Sequence, residues 1–154
     1  MTTTEAGQPI TTEQQELIDA VARTAFRVMA VLSKFAGEND LSLTQLRMIG
    51  ILRDRRLKIS ELAYALGLDR STLSGLVDRT EKRGLIQRSP NPLDGRSVQV
   101  ALSPEGARAA ELGANQIALS LSSMTCALNR AESQRLTTLL ERMLEAGNSE
   151  DSSG

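Results

Sequence analysis

Residues 59–86 read ISELAYALGLDRSTLSGLVDRTEKRGLI, and no other run constrains the fold as tightly. Its apolar spacing predicts a short helix from about Ser60 to Leu66, with Ser60 as N-cap and Ile59 as a candidate staple. Gly67 is placed to close that helix in a left-handed conformation. A very short turn follows, and Asp69 or Arg70 opens a second helix that lasts until Gly84. In it Leu73, Leu76 and Val77 point inward, while Thr72, Ser74, Gly75, Arg79, Lys82 and Arg83 point outward. Two helices joined by so tight a glycine-containing turn form a helix-turn-helix. Small hydroxyl residues and glycine near the start of the second helix let its backbone approach base edges in a major groove, while Arg and Lys further along meet phosphate. A merely solvated face would mix Glu and Lys evenly.

The flanking sequence supplies the rest of a winged helix. Leu17, Val21, Ala25, Val28, Met29, Leu32 and Phe35 fall at steps of three and four, predicting one long amphipathic helix from about Thr12 to Phe35. Ser42 and Gln45 form an S-x-x-Q capping box that opens the next helix, whose inward face is Leu46, Ile49 and Leu52. Residues 85–88 and 98–102 are short strand-like runs, and Ser89 to Ser97 between them predict a hairpin with a nine-residue tip. That tip carries Arg96, with Asp94 two residues earlier to orient its guanidinium, and a narrow minor groove attracts such an arginine. Ser103-Pro104-Glu105 starts a helix running to about Cys126. Asn129 to Glu132 starts another, with an apolar stripe of Leu136, Leu139, Leu140, Met143 and Leu144. Residues 1–11 and 148–154 are expected to be disordered tails.

Composition excludes several alternatives. The 154 residues are 40% hydrophobic, enough for one core without staples, but only 2% aromatic (Phe26, Phe35 and Tyr64), which leaves little for base stacking on single strands. With no histidine and one cysteine there is no material for an internal disulfide, a four-ligand zinc site or a His-dependent triad, so neither metal nor cofactor nor enzyme activity is expected. The net charge of −1 conceals an asymmetry: residues 53–96 carry ten Lys/Arg against six Asp/Glu, and the remainder eight against thirteen. No signal peptide or membrane span is visible, which implies a cytoplasmic protein without a membrane partner. A winged helix of about 60 residues cannot cover both the first and the last helices, so their apolar stripes require a second copy of the chain.

Leu43-Thr44-Gln45-Leu46, the SELA…LGLDRSTLSGLVDRTEKRGLI run, the D-G-R wing and the LSPEG helix start together resemble the MarR (multiple antibiotic resistance regulator) family over roughly residues 12–146. The resemblance implies a mainly α fold with a small β-wing. A winged helix-turn-helix lobe would occupy residues 42–102, and a helical dimerisation core residues 12–36 and 103–147. It implies a homodimeric regulator of duplex DNA, a repressor at an inverted-repeat operator, nucleoid-associated when bound. The alternative is a winged-helix protein-interaction module without DNA binding. Carried over by position, Arg70, Ser71, Thr72, Ser74 and Gly75 would face major-groove bases, Arg79 and Lys82 phosphates, and Arg96, supported by Asp94, the minor groove. Gly95 stands where a basic residue is usual, and Thr80 where leucine is common, implying a looser recognition-helix core. Family members often bind small anionic or phenolic effectors, for which Phe26, Met29, Arg47 and Met48 are the candidate walls. Cys126, among apolar neighbours and far from clustered basic residues, is expected to be buried and inert.

Overall fold

A computed structural model describes residues 10–151, with side chains to residue 147. The elements run α1 (Thr12–Glu38), α2 (Leu43–Ile51), β1 (Leu57–Lys58), α3 (Ile59–Leu66), α4 (Arg70–Lys82), β2 (Ile86–Asn91), β3 (Asp94–Leu102), α5 (Pro104–Thr125) and α6 (Arg130–Asp151). The chain divides into two compact units, Met1–Ile117 and Ala118–Gly154. The boundary falls within α5 and not ahead of it: the first half of that helix lies against Leu85 at Gly106 and against the Phe35 ring of α1 at Gly113. Of the expected tails, residues 1–9 and 152–154 lie outside the described residues, whereas 148–151 continue α6.

Local chemistry explains where the helices begin. Thr11 and Gln14 cap α1 reciprocally, Ser42 and Gln45 cap α2, and the Asn129 and Glu132 side chains accept from each other's backbone N–H at the start of α6. Helix α3 begins one residue before the expected cap, because the Glu61 carboxylate accepts from the Lys58 backbone N–H at 2.8 Å; Ser60 lies inside the helix. Gly67 does close α3, at φ +65°.

The sheet has the order β1-β3-β2, all antiparallel, with Leu57 opposite Val100 and Ile86 opposite Leu102. The nine-residue tip is not found. Strand β2 runs through Pro90 to Asn91 and pairs with β3 from Asp94, leaving Pro92 and Leu93 as the turn. Proline is tolerated in β2 because it is an edge strand, and a register shift falls between Pro90 and Asn91. The Asn91 side chain is buried and accepts from the Leu93 N–H at 3.0 Å, which tightens the turn.

Met48, Leu52, Leu62, Leu66, Leu73, Leu76, Val77, Ile86 and Val100 form the core of the first unit, aliphatic throughout. Thr80 is completely buried there, and it is not a loose spot. Its hydroxyl donates to the Leu76 carbonyl at 2.8 Å and accepts from Gln45 Nε2 at 3.1 Å, a polar bridge between α2 and α4. Helix α5 fits through two glycines. A Cβ on Gly106 would stand 1.8 Å from the Leu85 carbonyl oxygen, and one on Gly113 would stand 2.7 Å from the Phe35 ring.

Candidate nucleic-acid interface

Helix α4 is fixed from both ends before its outer face does anything. Asp69 caps it, accepting from the Thr72 N–H at 2.8 Å and from the Thr72 hydroxyl at 2.6 Å. Those two bonds, the hydroxyl first, hold the Asp69 carboxyl below its ordinary range. At the other end Arg83 donates to the backbone carbonyls of Asn39, at 3.0 Å, and Asp40. Between them Leu73, Leu76, Val77 and Thr80 are buried, so the opposite face is set by the 3.6-residue period. On that side Arg70, Ser71, Ser74, Arg79 and Lys82 are exposed and Gly75 is half-buried. Thr72 is exposed too, but its hydroxyl hydrogen is committed to the Asp69 cap.

The wing brings a further cation. Arg96 is the third residue of β3, exposed beside the two-residue turn. Asp94 supports it differently from expectation: the carboxylate accepts from the Arg96 backbone N–H at 3.2 Å, so it fixes the strand and not the guanidinium.

Two groups missed by sequence reasoning complete the surface. Asp78 lies on the outward face of α4, four residues from both Ser74 and Lys82. Arg88, from β2, binds Asp78 Oδ1 through Nη2 at 2.5 Å and Glu81 through Nη1, and its backbone N–H donates to Glu81 Oε1 at 3.1 Å. Asp78 is the chief cause that raises the Arg88 pKa above its ordinary value. Nothing in the local sequence pattern links residues ten apart on a helix and a strand.

Behind the interface lies a cleft of about 580 Å³ whose walls include Met29, Phe35, Leu46, Arg47, Arg53 and Arg83. Of the four candidate wall residues it contains Met29 and Arg47. Phe26 is 76% exposed, because the N-terminal part of α1, from Thr12 to Arg27, is exposed throughout. Met48 neighbours Arg47 on α2, and the helical turn between them directs it into the core. Arg47 donates to the Ala65 carbonyl at 3.0 Å through Nη2 alone, leaving other donors of its fork uncommitted among the described residues.

Cys126 is exposed and not buried: it follows the last residue of α5, so its apolar sequence neighbours do not enclose it, and its thiol donates to the Ser123 carbonyl at 3.4 Å. Among the described residues there is no cluster of metal-ligating side chains and no helix long and apolar enough to cross a membrane.

Comparison with known proteins gives the same picture. Residues 39–97 match the model of the MarR family. The HTH-type transcriptional repressor NicR of Pseudomonas putida is 32% identical over 137 residues, covering 85% of this chain and 84% of that protein. The structure of Bordetella bronchiseptica BpsR, described for the regulation of its DNA binding by 6-hydroxynicotinic acid, superimposes with a TM-score of 0.67 at 26% identity. That match covers 88% of this chain and 97% of BpsR. NadR in complex with 4-hydroxyphenylacetate superimposes with a TM-score of 0.69 at 26% identity, over 93% and 97% of the two chains. With a helix-turn-helix, a two-stranded wing and a relative matched along most of its length, the chain belongs to the MarR family of winged-helix transcriptional regulators.

Proposed function

We propose that the protein is a repressor that binds an inverted-repeat operator as a homodimer and is released by an aromatic carboxylate held in the cleft behind α2. The outward face of α4 carries this reading: Arg70, Ser71, Ser74, Arg79 and Lys82 are exposed together on a helix held at both ends, with Gly75 allowing close approach. Ser71, Ser74 and the Arg70 side chain meet base edges, with Thr72 offering its methyl and a lone pair; Arg79 and Lys82 neutralise phosphates, and Arg96 enters the minor groove. A protein-docking face would be apolar there, and this one is polar.

Dimerisation is supported by apolar surface left without a partner in one copy. Leu17, Ile18 and Val21 are exposed on α1, and Leu136, Leu140, Met143 and Leu144 on α6. A two-fold dimer presents two α4 helices to half-sites roughly 34 Å apart. The effector class is supported by the cleft, apolar with guanidinium groups at Arg47 and Arg53, and by the aromatic acids in the descriptions of BpsR and NadR.

The test is fluorescence anisotropy of the full-length protein with duplexes containing inverted repeats, at several salt concentrations, alongside its solution mass. Expected are a mass of twice 16.6 kDa, steep salt dependence and strong preference for a subset of duplexes. Arg96→Ala weakens binding with little change in sequence preference, and Ser71→Ala changes the preference. Adding 6-hydroxynicotinate or 4-hydroxyphenylacetate lowers the affinity. A dimer indifferent to every duplex at low salt refutes the DNA reading; a complex indifferent to both acids refutes the effector class.

A further inference from the structure

We infer that Arg88 is a positioning residue for DNA: by pairing with Asp78 and Glu81 it cancels negative charge on the α4 face that the duplex must approach. The inference rests on the DNA-binding reading above. Ser71, Ser74, Asp78 and Lys82 succeed one another at steps of three and four, with Gly75 beside Ser74, so a carboxylate stands in the middle of the surface offered to a polyanion. The Asp78 side chain is 53% exposed and Glu81 37%, so burial does not hide their charges. Screening at physiological salt acts over roughly 8 Å, which leaves a carboxylate within the contact face fully felt by the nearest phosphates.

The guanidinium answers both carboxylates at once. Its two terminal nitrogens reach one acid each, and the Arg88 backbone N–H adds a third bond, the second to Glu81. A planar fork suits this double grip, which a lysine ammonium on its flexible stem reproduces poorly. Three ionised groups thereby contribute one net negative charge in place of two.

The experiment compares wild type, Arg88→Gln, Arg88→Lys, Asp78→Asn/Glu81→Gln and the triple variant with Arg88→Gln, on duplexes that the wild type binds. Circular dichroism melting checks each fold. Arg88→Gln is expected to lose about tenfold or more in affinity on preferred and random duplexes alike, Arg88→Lys less, and the triple variant to return to the wild-type affinity or exceed it. Asp78→Asn/Glu81→Gln, which needs no change at Arg88, is expected to bind more tightly than wild type. Wild-type affinity in folded Arg88→Gln overturns the inference, as does a folded triple variant as weak as Arg88→Gln, which would make Arg88 itself a DNA contact. Should Arg88→Gln not fold, weaker binding by Asp78→Asn/Glu81→Gln overturns it instead. Failure of the wild type to bind any duplex overturns the DNA reading and this inference together.

Discussion

Replacing Thr80 with valine keeps the side chain's shape and removes one oxygen from a site with no access to solvent. Thr80 is 0% exposed, and its hydroxyl is the acceptor for Gln45 Nε2. The Leu76 carbonyl that the hydroxyl also reaches belongs to α4, where the helical N–H of residue 80 already serves it. The loss therefore concentrates on one amide donor stranded in the core, a cost of about 1–3 kcal/mol. The added methyl returns about 0.8 kcal/mol. The net expectation is a destabilisation of about 0.2–2 kcal/mol, read from urea unfolding at fixed protein concentration, since the stability of the proposed dimer would depend on it. A double-mutant cycle with Gln45→Met isolates the cause. Gln45→Met also removes the acceptor for the Ser42 N–H, so it is destabilising alone, but in its background no amide remains to be stranded. Thr80→Val should then be near neutral, giving a coupling of about 1 kcal/mol or more. Equal effects in both backgrounds would refute the buried-bridge argument.

Lys82→Ala should flatten the slope of log affinity against log salt by about 1.8 for a dimer, two phosphate contacts at roughly 0.9 each, which salt-titrated anisotropy measures directly. Asp69→Ala should lower stability at neutral pH. Because the folded Asp69 carboxyl titrates below its ordinary value, that stabilisation is fully present above about pH 4 and is lost as pH falls through the lowered folded value, so urea melts of mutant and wild type should converge in acid. Gly106→Ala should cost about 1–3 kcal/mol or more, because the new Cβ meets a backbone oxygen that cannot rotate away; unchanged urea melts would contradict that contact. Deleting residues 130–154 should give monomeric or insoluble protein by sedimentation, since the Leu136–Leu144 stripe goes with it.

What could be read along the chain was what a single element encodes. The reciprocal caps at Ser42 and Asn129, the left-handed Gly67 and the inward stripe Leu73, Leu76, Val77 are local grammar, and they placed the helix-turn-helix and its outer face. Pro90 misled because proline signals a loop unless the strand is known to be an edge, and edge status is a property of the sheet. Thr80 reads as a defect in an apolar stripe until Gln45, thirty-five residues away, is seen to meet it. Arg88 and the cleft were illegible for the same reason: each depends on side chains brought together from separate elements, and periodicity carries no information about partners.

The glycines of α5 have a consequence for how such a regulator changes over generations. The wall they give the cleft also includes Ala109, Ala110 and Ala114, residues whose side chains are close to the smallest available. None of them lies in α4 or the wing, whose side chains would read the operator. A single substitution of one alanine by valine or leucine would reduce the volume open to a guest while leaving the DNA-facing surface chemically untouched. On the proposed function, the signal obeyed and the gene controlled would thus be written on different residues, and selection could rewrite one without erasing the other.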